Sequence, residues 1–94
     1  MATVRLAPSA RADMSEIFDY IVRDKPSAAV RWIDAIEEKC DLTATRPNFG
    51  ELHPEYGVAI RCSSVGRYVI FFRPIDGGIE VVRAIASERD TRSL

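Results

Sequence analysis

Very little in this sequence could hold a metal or staple the chain. It has two cysteines, Cys40 and Cys62, one histidine, His53, and one tryptophan, Trp32. The two thiols could in principle pair, but without a secretion signal they read better as small buried apolar residues. A lone histidine with no clustered Cys/His spacing argues against a structural zinc site. No apolar run approaches the ~20 residues of a membrane span, and the N-terminus has no signal-peptide pattern. The expectation is a cytoplasmic protein made in its mature form. Linkers, repeats and low-complexity stretches are also missing, so the 94 residues are read as one domain, 1–94. Net charge is equally scarce: 13 basic residues against 14 acidic ones leave −1, which argues against a protein that coats nucleic acid.

What the chain does have is a change of period halfway along. Residues 3–6, TVRL, read as a short strand. In the stretch that follows, Ala10, Met14, Ile17, Phe18 and Ile21 recur at helical spacing. Pro8 suits the first helical position, where its missing N–H would have no partner, and Asp13 and Glu16 are read as early-turn carboxylates favoured by the helix dipole. The segment DKPS (24–27) breaks this pattern. Pro26 can then open a second helix with the stripe Ala29, Trp32, Ile33, Ile36 and Cys40, ended by ATRPNFG (44–50). So short a break implies an antiparallel helical hairpin.

From there the pattern is that of strands. YGVAIRC (56–62), RYVIFFR (67–73) and GIEVVRAIA (78–86) are rich in β-branched and aromatic residues, and SSVG and PIDGG between them read as turns. The middle run is apolar on both faces and suits a central strand. Simple alternation in the last run would put Ile79, Val81, Arg83 and Ile85 on one face, and Glu80, Val82 and Ala84 on the other. The predicted fold is α+β, with a helical hairpin laid across a mainly antiparallel sheet in the order β-α-α-β-β-β and a short C-terminal tail.

Four segments in this order resemble the ParE toxins of bacterial toxin–antitoxin pairs, within the wider RelE/ParE superfamily. They are LAPSARADMSEIFDYIVRDKPSAAVRW (6–32), TRPNFGEL (45–52), IRCSSVGRYVIFFRP (60–74) and IEVVRAIASERD (79–90). The most specific residues are Ala10 with Asp13, Ile17 and Tyr20-Ile21; Pro47 with Gly50; and Arg61, Gly66-Arg67-Tyr68 and Arg83 through Arg89-Asp90. Two activities share that fold, and fold alone does not choose between them. RelE-like members cut messenger RNA in the ribosome. ParE-like members poison DNA gyrase and leave broken DNA behind.

Side chains favour the second activity. Cleavage through the 2′-hydroxyl needs a proton acceptor and a proton donor, and a positioned acid or base usually contributes about 10²–10⁴-fold in rate. Arginine clamps phosphate but its pKa makes it a poor base. RelE-type nucleases place a histidine or tyrosine near the chain end, and many ParE relatives have a histidine about where Ser87 stands. Here no His or Tyr follows Tyr68. Glu88 beside Arg89 is read as a solvated ion pair, His53 as a surface-loop residue and Ser63-Ser64 as a turn with no base at hand. Trp32 is read as core.

The resemblance then implies a toxin that stabilises the intermediate in which gyrase's own tyrosine holds cleaved DNA, with no cofactor of its own. It also implies a ParD-like antitoxin partner. From Arg61 to Arg83 four arginines face only Asp76 and Glu80, leaving +2. The candidate target-binding residues are accordingly Arg61, Arg67, Arg83, Arg89 and Arg92. For the antitoxin, a helix in the hairpin groove or a strand on the sheet edge would suit the architecture. The candidates there are Phe18, Tyr20, Val22, Val30 and Ile33, with Arg61 and Arg83. Tyr20 and Val22 lie off the core stripe and are the better contacts, while truncating Arg83 is expected to spare the fold. Two alternatives stand beside this reading: a RelE-type ribosome-dependent nuclease, and a module that binds antitoxin without being toxic.

Overall fold

The computed structural model describes residues 2–86. In chain order these form β1 (Thr3–Leu6), α1 (Pro8–Asp24), α2 (Pro26–Thr45), β2 (Glu51–Leu52), a 3-10 turn (Pro54–Tyr56), β3 (Arg61–Val65), β4 (Tyr68–Ile75) and β5 (Gly78–Ala86). The five strands make one sheet in the order β1-β5-β4-β3-β2, antiparallel throughout except where β1 runs parallel to β5. This is the expected α+β fold, with the apolar middle strand at its centre.

Proline sets the helices. Neither helix has a side-chain cap, and each opens on a proline, whose fixed φ needs no donor partner there. Pro26 also pushes Lys25 out of the helical region, to φ −142° and ψ 93°, so one residue ends α1 and starts α2. The Lys25 N–H still donates to Ile21 O, and its carbonyl accepts from Ala28 and Ala29. With that single residue as the hinge, the helices fold back together on the sheet. Ala10, Trp32, Ile36, Cys40 and Ala44 bury against Val65, Ile70, Phe72, Ile79 and Val81. Trp32 meets Tyr68 edge-on at 5.3 Å and belongs to this core.

The second half departs from the sequence reading in three places. Strand β3 begins at Arg61 rather than residue 56, and Ser63 and Ser64 lie within it, opposite Ile70 and Val69, instead of turning the chain. The turn is at Gly66-Arg67. Residues 53–60 form a strap rather than a strand, and they drop Tyr56 and Ile60 onto Phe71 to build a second, smaller core with Ile85 on the sheet's other face. Between Phe71 and Phe72 the β4–β5 register shifts: Phe71 pairs with Arg83 and Phe72 with Val81, leaving Val82 as a bulge. The bulge reverses the alternation, so Ala84 joins Val81 and Ile79 in the main core while Val82 and Ile85 line the other face.

Within the strap Ala59 takes φ 60°, a left-handed conformation that costs an L-residue roughly 1–2 kcal/mol. Ala59→Gly is therefore expected to stabilise the protein by about 0.5–1 kcal/mol, after allowing for the freedom glycine adds to the unfolded chain. A raised urea midpoint at unchanged slope would show it.

Candidate functional site

Strand β1 stops at Leu6, where it pairs with Val81, but β5 runs on to Ala86. The chain leaving β1 closes part of that exposed edge itself. Ala7 N–H donates to Val81 O at 2.9 Å, and the first turns of α1 then lie alongside β5. The Ser9 hydroxyl donates to Val82 O at 2.6 Å, and Ala84 N–H donates to Asp13 Oδ2 at 3.0 Å. Two side chains of a helix thus take the place of a neighbouring strand. Asp13 is not in the first turn of α1, so the helix dipole is not what fixes its place. The strand edge is.

Asp13 also receives Arg83. The guanidinium donates through Nε to Oδ2 at 2.7 Å and through Nη2 to Oδ1 at 3.2 Å, a two-pronged carboxylate grip. That hydrogen bonding raises the arginine's pKa further, against a smaller opposing effect of burial. The Arg83 side chain is 43% exposed and Asp13 only 16%, so the arginine keeps one flank toward solvent.

Two further arginines of the sheet, Arg61 and Arg73, also bond acceptors within the chain. Arg61 lies opposite Phe72, with Nη1 donating to Gly50 O at 2.8 Å and Nε buried without an acceptor. Arg73 pairs with Glu80, its register partner, through Nε at 2.8 Å and Nη2 at 2.6 Å. Arg67 sits exposed in the β3–β4 turn. Arg61, Arg73 and Arg83 therefore spend hydrogen bonds inside the chain, and only Arg73 and Arg83 do so on carboxylates. Arg89, Arg92 and Glu88 lie outside the described residues.

The hairpin residues divide. Phe18 and Ile33 are half-buried and pack against the main core. Val22 is half-buried, whereas Tyr20 is 74% exposed and Val30 57%. Tyr20 and Val30 each lie five residues from the hinge at Lys25, which puts them at one level of the hairpin. An exposed aromatic and an exposed β-branched residue there are what a partner can cover without disturbing the core.

No arrangement for acid–base or nucleophilic chemistry emerges among the described residues. Burial pushes the thiols of Cys40 and Cys62 up to about 11, far from a reactive thiolate, and both are free. No group of three His, Cys, Asp or Glu side chains there is placed to hold a metal ion, and no described helix is long and apolar enough to cross a membrane. An open groove of about 470 Å³ on the outer side of α2 is lined by Asp34, Glu37, Glu38 and Asp41, a charge that repels phosphate. His53 is held between Glu55, at 2.8 Å from Nδ1, and Glu51, at 3.5 Å from Nε2. Its hydrogen bond to Glu55 is the main reason that its pKa lies above the usual 6.5. The sequence reading missed Asp13 as an edge-closing residue. Its i+4 spacing from Ser9 on one helix face was the available signal.

The fold is matched elsewhere. A solved structure of a chromosomal ParDE toxin–antitoxin system from P. aeruginosa contains a chain of similar fold, at TM-score 0.76 and 22% identity. The similarity covers 94% of this chain and 98% of that one. No curated protein sequence matches. The family model for the ParE toxin of the parDE type II toxin–antitoxin system, however, matches residues 4–91. Nearly the whole chain is thus accounted for by one family, and the protein belongs to the ParE toxins of parDE type II toxin–antitoxin systems.

Proposed function

We propose that this protein poisons DNA gyrase and is neutralised by a ParD-like antitoxin. The observation that carries the choice of target is the state of its arginines. A ribosome-dependent nuclease needs cations free to clamp phosphate and a proton-transfer group beside them. Here Arg61, Arg73 and Arg83 already bond acceptors within the chain, and no His or Tyr follows Tyr68 in the sequence. A toxin that borrows gyrase's own DNA cleavage needs neither. The exposed flank of Arg83, with Arg67 and the tail residues Arg89 and Arg92, supplies the candidate contacts to the target, while Arg61, part-buried on Gly50 O, is the least available of the candidates. Tyr20 and Val30, near the hairpin turn, are the apolar contacts best placed for an antitoxin helix.

Inducible expression in bacteria tests this directly. Gyrase poisoning is expected to give DNA breaks, SOS induction and filamentous cells while protein synthesis initially continues. Purified protein with gyrase and supercoiled plasmid should yield linear DNA with protein bound at the ends. Rapid arrest of synthesis with messages cut at codon boundaries would instead make the protein a RelE-type nuclease. Unimpaired growth together with tight antitoxin binding would make it a regulatory module without a poison.

A further inference from the structure

Between α2 and β3 the chain crosses the sheet's far edge as β2 and then the strap, residues 53–60, whose attachment is built around His53. At one end Glu51 and Leu52 pair with Cys62 and Arg61. At the other, His53 N–H donates to Ile60 O at 2.7 Å, closing the strap into a loop. Inside that loop the His53 ring stacks on Tyr56 at 5.5 Å, and Tyr56 stands edge-on to Phe71 at 5.3 Å. The imidazole is thus continuous with the small core that the strap covers.

The two ring nitrogens face different parts of the strap. Neutral imidazole can keep Nδ1–H on Glu55 Oε2, a bond within the 3-10 turn. Adding a proton creates Nε2–H, which faces Glu51 Oε2 on the edge strand. We infer that His53 is a proton-operated clasp: protonation ties the turn to β2 and tightens the strap over the Phe71 face of the sheet. Tyr56 stacks on the ring, and across the β2–β3 ladder Cys62 lies opposite Glu51 and Arg61 opposite Leu52, with the Arg61 guanidinium turned to Gly50 O. The Cys62 thiol stays uncharged because burial holds its pKa at about 11, so the two glutamates govern the imidazole.

The direction follows from linkage. Glu55, and to a smaller extent Glu51, hold His53 above 6.5, so the stability that the added proton brings is complete below about pH 6 and is lost as pH rises through the folded-state value. The strap has reason to open when the clasp lets go, since Ala59 holds a strained φ within it. Release would lift Tyr56 and Ile60 from Phe71, next to the already exposed Leu52 and Val58. This inference does not depend on the identity of the toxin's target.

Amide hydrogen exchange on the full-length protein tests it. Protection of the His53, Tyr56 and Gly57 amides, corrected for intrinsic rate and referred to β4 amides, is expected to fall about two- to five-fold from pH 6 to pH 9, the scale of an exposed ion pair. His53→Gln keeps a donor for Glu55 but cannot add the proton, and its strap protection should not change with pH. The double variant Glu51→Gln/Glu55→Gln leaves the ring in place and should flatten the same dependence. Pairing is confirmed if the His53 titration moves back toward 6.5 in that double variant. PH-independent strap protection in the wild type, or an undiminished pH dependence in either variant, overturns the clasp.

Discussion

Gly78→Ala is expected to destabilise this protein by about 3 kcal/mol or more, at the upper end of what overpacking costs, and to detach β1 from the sheet. A Cβ placed on Gly78 would lie 1.8 Å from Thr3 O and 2.7 Å from Thr3 C and N. All three are backbone atoms of the strand paired with it, so no rotamer change relieves the clash. Thr3–Gly78 is the first pair of the parallel β1–β5 ladder, and the Thr3 N–H donates to Gly77 O at 2.8 Å. Displacing Thr3 would open that ladder from its start and unseat Val4 and Leu6, which pack against the main core. Gly66 is the control. It has φ 58° but nothing within 4 Å of an added Cβ, so Gly66→Ala should cost only about 1–2 kcal/mol, from backbone conformation alone. Denaturant midpoints give both values, and loss of amide protection in residues 4–6 would place the damage. Equal losses in the two variants would mean that β1 does not approach Gly78 this closely.

Asp13→Ala should cost about 2–4 kcal/mol. It removes the acceptor for Ala84 N–H and strips Arg83 of both its bonds, leaving a donor on the strand edge and a half-buried cation without partners. The upper end is discounted because the Arg83 side chain is 43% exposed and recovers some hydration. Arg83→Ala should cost less, about 1–2 kcal/mol, since Asp13 keeps its backbone donor. Asp13→Asn should fall between the two, its amide oxygen still accepting from Ala84 while its NH2 group replaces one of the oxygens that faced the guanidinium. Thermal or urea unfolding checks the ranking. The same series separates anchoring from recognition. If Arg83 meets a partner, Arg83→Ala weakens binding by more than its stability loss accounts for. The expectation that Arg83 could be removed without touching the fold is thereby revised: the residue is a fastening before it is a contact.

The helical hairpin was legible in the sequence because its boundaries are proline chemistry, local by nature. Pro8, Pro26 and Pro47 each act on their own backbone or on the residue before, and the apolar stripe between them has one period. The β half was harder to read where burial and pairing come from distant residues. Tyr56 and Ile60 resemble strand residues, yet they reach the core from a strap. Ser63 and Ser64 look like turn residues but are held in β3 by pairing with apolar β4. The bulge at Val82 leaves no local mark, yet it decides which side of the sheet Ala84 and Ile85 face. Arg61 and Arg83 stand out in the sequence as members of a basic segment, and hence as candidate contacts. Their acceptors, Gly50 and Asp13, are set by tertiary packing: the i+4 spacing of Ser9 and Asp13 marks a shared helix face but not the strand edge that it meets.

The closure of β5 by α1 also fixes when the fold can form. The contact from Ser9 to Val82 spans 73 residues and that from Asp13 to Arg83 spans 70. Such contacts are late by construction, because the loop between them must be ordered before they return any free energy. During synthesis the hairpin can become helical early, but it has no finished sheet to lie on until β5 has been made. A growing chain of this toxin therefore lacks a closed core until β5 has been made, and the fastening of α1 to that strand can follow only then.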